Sequence, residues 1–147
     1  MSLEYLAVNV REGNLSSRKR SQVDRFSHVR SGLTEWQCRR VRSYITENVG
    51  KHLKVSELAS QTRLSVGHFA RAFIITFGVS PYRFVIAERI AKAKRLMTNT
   101  SYPLSEIALQ CGLCDHAHFC RLFRSFEGLP PSEWRRLEMN IQAPPVP

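Results

Sequence analysis

The residues best suited to metal or redox chemistry are three cysteines and two histidines in the second half of the chain. Cys111 and Cys114 form a Cys-x-x-Cys pair, Cys120 follows, His116 and His118 lie between them, and His68 in the first half is a further candidate ligand. Thiolates and imidazoles can bind zinc, and neighbouring thiols can act as a redox switch. We favour a third interpretation, in which the cysteines are free thiols in a turn and a core. Cys111 falls in a predicted turn, at a position where a small buried side chain is needed for packing. No metal and no cofactor are therefore expected.

Side-chain arrangements typical of enzymes do not occur in the sequence. It contains no glycine-rich phosphate loop, no paired carboxylates and no Ser-His-Asp set. The 12 acidic residues are scattered along the chain. We therefore predict that this chain is not an enzyme.

The charge balance favours a polyanionic partner. Lys and Arg number 22 against 12 Asp and Glu, so the formal net charge is +10, and the isoelectric point is about 10.1. Cationic side chains that neutralise phosphates release condensed counterions, which drives binding to nucleic acids. An acidic membrane surface, or a basic surface without a specific partner, are alternatives that charge alone leaves open.

Two further features favour a cytoplasmic location. No apolar run approaches the roughly 20 residues that a membrane span needs. The first ten residues include Glu4 and lack a basic start followed by a long apolar stretch, as a signal peptide would have. We therefore expect a cytoplasmic protein with reduced cysteines.

The chain divides into three segments by composition. Residues 1–32 mix arginines with Ser, Asn and Gly and show little apolar periodicity, which predicts a basic disordered tail or linker. Residues 33–137 carry helical patterns, and residues 138–147 are predicted to form a flexible Pro-rich tail. No window alternates like a strand, so the domain over 33–137 is predicted to be all-α.

Helix boundaries follow from capping signals and apolar spacing. Thr34 to Gln37 has a capping-box pattern before a helix that ends near Gly50, and Ser80-Pro81 opens a long linker helix over 81–98. The apolar stripe of the linker helix consists of Ile86, Ile90, Ala93 and Met97. The remaining predicted helices cover 55–61, 65–77, 104–110, 115–127 and a last one from Pro131 through Trp134.

The segments on either side of the linker helix repeat each other. Ser56-Glu57-Leu58-Ala59 recurs 49 positions later as Ser105-Glu106-Ile107-Ala108. At an offset of 50, a second set recurs: Phe69, Arg71, Phe73, Gly78 and Pro81 match Phe119, Arg121, Phe123, Gly128 and Pro131. The one extra residue falls at Cys114, in the turn. The chain thus contains two copies of one supersecondary unit, the first unit over about 53–78 and the second unit over about 103–128.

Each unit has the order short helix, tight turn, longer helix, which is the plan of a helix-turn-helix. The phenylalanines of each longer helix are four residues apart and share its buried face. The side chains between them are predicted to face outward: Gly67, His68, Ala70 and Arg71 in the first unit, and His116, Ala117, Cys120 and Arg121 in the second. A linker helix of roughly 25 Å would let the two longer helices reach successive major grooves, which predicts an asymmetric DNA site.

Residues 33–136 resemble the DNA-binding domain of the AraC/XylS family of bacterial transcription regulators. The resemblance is most specific in the second unit and after it, where these residues follow the signature of the family: Gly112-Leu113, Asp115, His118-Phe119, Arg121, Phe123, Gly128, Pro131 and Trp134-Arg135. It implies a fold of seven helices, in which two helix-turn-helix subdomains are joined by a long linker helix. It also implies promoter recognition by helices 65–77 and 115–127, with RNA polymerase as a further partner.

The resemblance also implies residue roles, because base contacts in the family come from the first half of each recognition helix. Carried over to this chain, the base contacts are Gly67, Ala70, Arg71, His116, Ala117, Cys120 and Arg121. Expected contacts to the DNA backbone are Ser65, His68, Lys92, Arg95, Asp115, His118 and Arg135. Arg71 and Arg121 are the strongest candidates because an arginine can bind guanine O6 and N7 with two hydrogen bonds. A phosphate contact or a structural ion pair remains the alternative for each.

The first unit departs from the family pattern in several places. Gly67 and Ala70 offer almost no side chain to a base, although Ala70 could contact a thymine methyl group. Arg63 occupies the turn position of Gly112, and it would be strained if that position requires a positive φ. Lys54 stands where a good N-cap residue is expected. We therefore expect the second unit to carry more of the specificity.

Three alternatives to a complete regulator remain open from the sequence. The chain could be the C-terminal part of a longer regulator with an effector-binding and dimerisation domain. It could belong to a bifunctional repair protein, although that needs an upstream zinc-bound cysteine and the first 33 residues contain none. It could also be a basic nucleic-acid-binding protein without sequence preference.

Overall fold

The computed structural model describes residues 31–142, which form seven α-helices and no strand. The helices are α1 Glu35–Asn48, α2 Val55–Ser60, α3 Val66–Phe77, α4 Pro81–Asn99, α5 Leu104–Gln110, α6 His116–Glu127 and α7 Pro131–Gln142. This confirms the predicted all-α class. Within 31–142, no single helix is long and apolar enough to cross a membrane, and only the consecutive pair α3 and α4, bent by 56°, passes that test together. The tail predicted over 1–32 lies outside the described residues, apart from 31 and 32.

The capping signals in the sequence set the helix boundaries. The Ser65 and Ser80 hydroxyls accept hydrogen bonds from the backbone N–H groups of His68 and Arg83, both at 3.3 Å. The Asp115 carboxylate accepts one from His118 N–H at 2.6 Å. These side chains satisfy N–H groups that the first turn of a helix leaves without a partner.

The last helix is longer than predicted. The sequence patterns indicated a helix through Trp134 and a flexible tail from residue 138, but α7 continues to Gln142. The tail prediction is therefore wrong for residues 138–142. The physical reason is that three of these five positions, Glu138, Met139 and Gln142, hold good helix formers, and no Gly or Pro occurs before Pro144.

The first unit and α1 enclose one hydrophobic core. Its largest side chains come from all four helices around it: Val41, Ile45, Leu58, Phe69, Phe73, Phe77 and Phe84. Three of the rings form a tight cluster, with Phe73 centred 4.4 Å from Phe77 and 5.4 Å from Phe84. Such aromatic contacts stabilise beyond the area they bury. The core therefore holds α3 firmly by its inner face.

The second unit encloses an equivalent core, built from the repeated positions. Phe119 and Phe123 are fully buried there, as Phe69 and Phe73 are in the first unit. Helix α4 contributes to both cores, because Phe84 and Val85 pack in the first and the stripe predicted from the sequence, Ile86, Ile90, Ala93 and Met97, packs in the second. The linker helix is therefore a shared structural element and not a free tether.

The turns of the two units differ at one backbone position. Gly112 has φ 71°, and its counterpart Arg63 has φ 59°, the one non-glycine with positive φ among the described residues. The following amide of the second unit, Leu113 N–H, donates to Ala108 C=O at 3.0 Å, whereas the matching bond from Leu64 to Ala59 is 3.5 Å. The sequence-based expectation that Arg63 is strained is thus supported by its geometry.

Replacement of Arg63 by Gly is expected to stabilise the domain. A left-handed conformation costs a residue with a Cβ about 1–2 kcal/mol relative to glycine. The greater freedom of glycine in the unfolded chain offsets about 0.4–1 kcal/mol of this, so the free energy of unfolding should rise by roughly 0.5–1 kcal/mol. Urea denaturation followed by circular dichroism measures this change. Arg63→Ala removes the same charge but keeps the Cβ, and it should show no such gain. Equal stability of the two variants would contradict the strain argument.

Candidate nucleic-acid interface

The outer face of α3 presents most of the side chains predicted for the first unit. Gly67, His68 and Arg71 are exposed, and Ala70 is half-buried, while Phe69 points into the core. A Cβ built on Gly67 would lie 3.9 Å from Nη1 of Arg71. The guanidinium of Arg71 therefore extends back along the helix over Gly67, as helical side chains tend to do. Glycine at this position leaves room for the arginine near the start of α3.

The outer face of α6 has the same geometry with different chemistry. His116, Ala117 and Arg121 are exposed. Cys120 is half-buried, and its Sγ lies 3.6 Å from Nε2 of His116, four residues earlier. Burial raises the pKa of the Cys120 thiol. Cys120 therefore faces His116 as well as the outer surface, and its neutral thiol is a weak hydrogen-bond partner at most.

Sequence reasoning missed three exposed positions on these faces. Ile74 and Arg124 follow Arg71 and Arg121 by three residues and continue the same outer face by one helical turn. Val66, 49% exposed, occupies the position of His116. The signal that could have found them is the helical period itself, continued beyond the first half of each helix, together with the offset of 50.

The two faces differ in electrostatics because of these three positions. The α3 face combines one arginine with the exposed apolar side chains of Val66 and Ile74. The α6 face instead carries His116, Arg121 and Arg124, and no acidic side chain lies between Asp115 and Glu127. The outer face of α6 is therefore more cationic than that of α3, since it carries two arginines against one.

The side chains predicted to contact the DNA backbone fall into two groups. Ser65, His68, Asp115 and His118 lie at the beginnings of α3 and α6, where backbone N–H groups and the helix dipole favour an anion. Ser65 and Asp115 already act there as N-caps. The remaining members, Lys92, Arg95 and Arg135, lie on α4 and α7.

Two members of this second group, Lys92 and Arg135, have hydrogen bonds within the protein. Lys92 Nζ donates to Gln110 C=O at 2.6 Å. Arg135 Nη1 donates to Tyr102 C=O at 2.9 Å, while its Nε and Nη2 are buried without a partner. Arg95 is exposed and lines an open groove of about 550 Å³ between α1 and α4, together with Lys51 and Lys92. Lys92 and Arg135 thus have structural contacts, whereas the side chain of Arg95 is exposed.

The cysteines differ in how deeply they are buried. Cys111 is fully buried in the second core, where burial raises its pKa to about 11. Cys114 is exposed in the turn, and all described cysteines are free thiols. Within residues 31–142, no group of three or more His, Cys, Asp or Glu side chains is placed to hold a metal ion.

The described residues contain two copies of a helix-turn-helix unit that share helix α4, and each copy presents one exposed recognition-type helix. This arrangement defines a helix-turn-helix DNA-binding domain. The family model described as "Helix-turn-helix domain" matches residues 58–137, more than half of the chain. The chain belongs to this AraC-type helix-turn-helix family of transcriptional regulators. The resemblance found in the sequence is thereby confirmed.

Individual proteins show the same relationship. The probable transcriptional regulator LumQ of Photobacterium leiognathi is 30% identical over 95 residues, which cover 65% of this chain and 38% of LumQ. The crystal structure of a probable AraC family regulator from Rhodopseudomonas palustris is 29% identical, with a TM-score of 0.62, over 68% of this chain and 94% of that one. The DNA-binding domain of AdpA, solved with a target DNA, shares the fold with a TM-score of 0.69 at 24% identity, over 74% of this chain and 97% of that one.

The relatives are longer proteins than this chain. The aligned part covers 38%, 33% and 31% of three curated regulators. The aligned part of this chain thus spans about a third of the length of these relatives.

Cys111 is expected to resist alkylation in the folded protein. At pH 8 a thiol with a pKa of about 11 is almost entirely protonated, and only the thiolate reacts. Iodoacetamide at pH 8 should therefore modify exposed Cys114 first and Cys111 only after unfolding in urea, as measured by peptide mass spectrometry. Cys114→Ser should remove the fast reaction. Comparable rates at the two sites would show that Cys111 is not enclosed in the second core.

Proposed function

We propose that this chain binds double-stranded DNA sequence-specifically and regulates transcription, with α3 and α6 in two successive segments of the major groove. The observation that carries the proposal is the duplication of one exposed face. Each of the two helices buries a phenylalanine pair and presents an arginine at the same outward position, Arg71 or Arg121. Membership of the AraC-type family supports the same function.

The proposed base contacts come from the first half of each helix. Arg71 and Arg121 bind guanine, since a guanidinium matches the O6 and N7 acceptors and a good pair discriminates by about 1–3 kcal/mol. The small residues beside them, Gly67, Ala70 and Ala117, let the backbone approach the bases closely. His116 and Cys120 complete the base-contacting face of α6.

The proposed phosphate contacts surround this face. The helix beginnings at Ser65 and Asp115 offer backbone N–H groups, and His68 and His118 lie in the same first turns. The Asp115 carboxylate itself is anionic, so we assign the phosphate contact at this position to backbone N–H groups. Arg95 and Arg124 are the exposed cations that reach the flanking phosphates, and Lys92 and Arg135 add charge to α4 and α7.

The length of α4 suits two adjacent grooves. Its 19 residues span about 28 Å, comparable with the helical repeat of about 34 Å in DNA. The two faces differ in charge and shape, so the site they select is asymmetric. The cationic α6 face is expected to carry more of the discrimination than the largely apolar α3 face.

The partners and setting of the complete protein follow from this proposal. The aligned part of this chain covers about a third of the length of each of these relatives. We therefore propose that the complete regulator also contains an effector-binding and dimerisation domain. RNA polymerase is the proposed partner at the promoter. The protein would act in the bacterial cytoplasm, on the nucleoid.

Selection from randomised duplexes tests the DNA-binding function. At about 150 mM salt, near physiological ionic strength, the wild type should enrich an asymmetric motif with two boxes about one helical turn apart. Arg121→Ala should lose preference at one or two base positions in a single box, because one bidentate contact is removed. Arg71→Ala should do the same in the other box.

A matched control separates base contacts from general charge. Arg124→Ala removes the same charge from the same face of α6, and it should weaken binding evenly across sequences without changing the motif. If the wild type binds at low salt but enriches no motif, the proposal fails and the chain is a non-specific basic binder. If Arg121→Ala keeps the full motif, Arg121 is not a base contact.

A further inference from the structure

We propose that Arg89, Gly50 and Gly112 form a brace between the two units and that this brace makes the protein select DNA sites by the spacing of their two boxes. The inference rests on the proposed function and concerns positioning residues, which act on the recognition helices through the protein and not by touching bases. The brace connects the two halves of the domain a second time, in addition to the linker helix α4.

Arg89 fastens the end of α1 to the middle of α4. Its Nε donates to Val49 C=O at 3.1 Å and its Nη2 to Lys51 C=O at 2.7 Å. These carbonyls follow the last turn of α1, where a cation is also favoured by the helix dipole. A planar guanidinium that binds two carbonyls fixes both direction and distance. The side chain is half-buried, and burial lowers its pKa.

The residues that follow α1, Val49 and Gly50, also touch the turn of the second unit directly. A Cβ on Gly112 would lie 2.9 Å from the carbonyl carbon and oxygen of Gly50 and 3.0 Å from Val49 O. A Cβ on Gly50 would lie 2.7 Å from Gln110 O. The two backbones thus approach as closely as only glycine permits. This contact joins the first core, through α1, to the turn that precedes α6.

Lys92 completes the junction from α4. It lies one helical turn after Arg89, and its Nζ donates to Gln110 C=O, at the end of α5. Helix α4 therefore holds the end of α1 with one cation and the end of α5 with another. Rotation of either unit about α4 would break the hydrogen bonds that hold that unit to α4 and would separate the two glycines.

A fixed angle between α3 and α6 has a consequence for DNA. Each added base pair moves one box by about 3.4 Å and turns it by about a tenth of a helical repeat. A rigid pair of helices cannot follow this change without bending the duplex, which costs free energy. A flexible pair could follow it. Because the brace fixes the angle between α3 and α6, the protein prefers one spacing between the two boxes.

Affinity measurements on a spacing series test the inference. The duplexes carry the selected two boxes with the native spacing, with one base pair removed, and with one or two added, beside a duplex with one box only. The wild type should lose about tenfold or more in affinity for each altered spacing, comparable with a mismatched base pair. Arg89→Ala should reduce this loss to about threefold or less, with single-box affinity unchanged relative to its charge-matched control.

Two further variants separate the brace from charge and from folding. Arg39→Ala removes an equivalent charge from an exposed position on α1, where the side chain is 75% exposed, and it should keep the full spacing preference. Gly50→Ala changes no charge, but its Cβ forces the turn at Gln110 to shift, so the preferred spacing should move or broaden. Gly50 does not have a positive φ, so alanine fits its backbone conformation. Circular dichroism melts identify any variant that does not fold. If Arg89→Ala does not fold, the spacing series with Gly50→Ala tests the brace instead.

The outcomes distinguish this inference from the proposed function. If the wild type selects no motif, the DNA-binding proposal fails before spacing is measured. If the wild type selects a motif but folded Arg89→Ala and Gly50→Ala keep its spacing dependence, the brace does not set spacing. If Arg89→Ala weakens binding equally at every spacing, Arg89 is a phosphate contact and the inference is overturned.

Discussion

Burial of two phenylalanine pairs is the constraint on which the rest of this domain depends. Phe69 with Phe73, and Phe119 with Phe123, each anchor one recognition helix by its inner face. A fully buried phenylalanine contributes about 1.5–3 kcal/mol, so a rotation of either helix about its axis would be costly. The opposite face, with Arg71 or Arg121, is therefore directed outward by the packing of hydrophobic rings that touch no ligand.

The second constraint is that the two anchored helices share one scaffold. Helix α4 places consecutive residues, Val85 and Ile86, in different cores. Neither core is complete without it, so the units are not independent domains on a flexible linker. The close contact of Gly50 with Gly112 adds a second connection. Under the proposed function, a protein with this scaffold binds two DNA segments at a fixed spacing and angle, and it cannot adjust to other spacings or angles.

The two copies have diverged in ways that the shared fold tolerates. The first unit keeps the left-handed turn with Arg63 in place of glycine and accepts longer hydrogen bonds there. Its outer face has become largely apolar, while that of the second unit is cationic. Both changes leave the buried phenylalanine pairs in place, Phe69 with Phe73 and Phe119 with Phe123. Divergence of the outer faces around these retained pairs suits the proposed binding of an asymmetric site.

The sequence by itself determined the elements and their inward and outward faces. Capping residues such as Ser65, Ser80 and Asp115 act within one turn, and apolar spacing at a period of 3.6 residues identifies the buried stripe, so both are local properties. The repeat also revealed the equivalence of Arg63 and Gly112. The length of α7 was misjudged because proline further on suggested an earlier end than helix propensity allowed. Only the tertiary structure decided that Arg89 holds the end of α1, that Lys92 holds the end of α5, and that Gly50 meets Gly112. These contacts join residues 18 to 62 positions apart in sequence, and no local pattern specifies them, because they depend on how two cores pack around one helix.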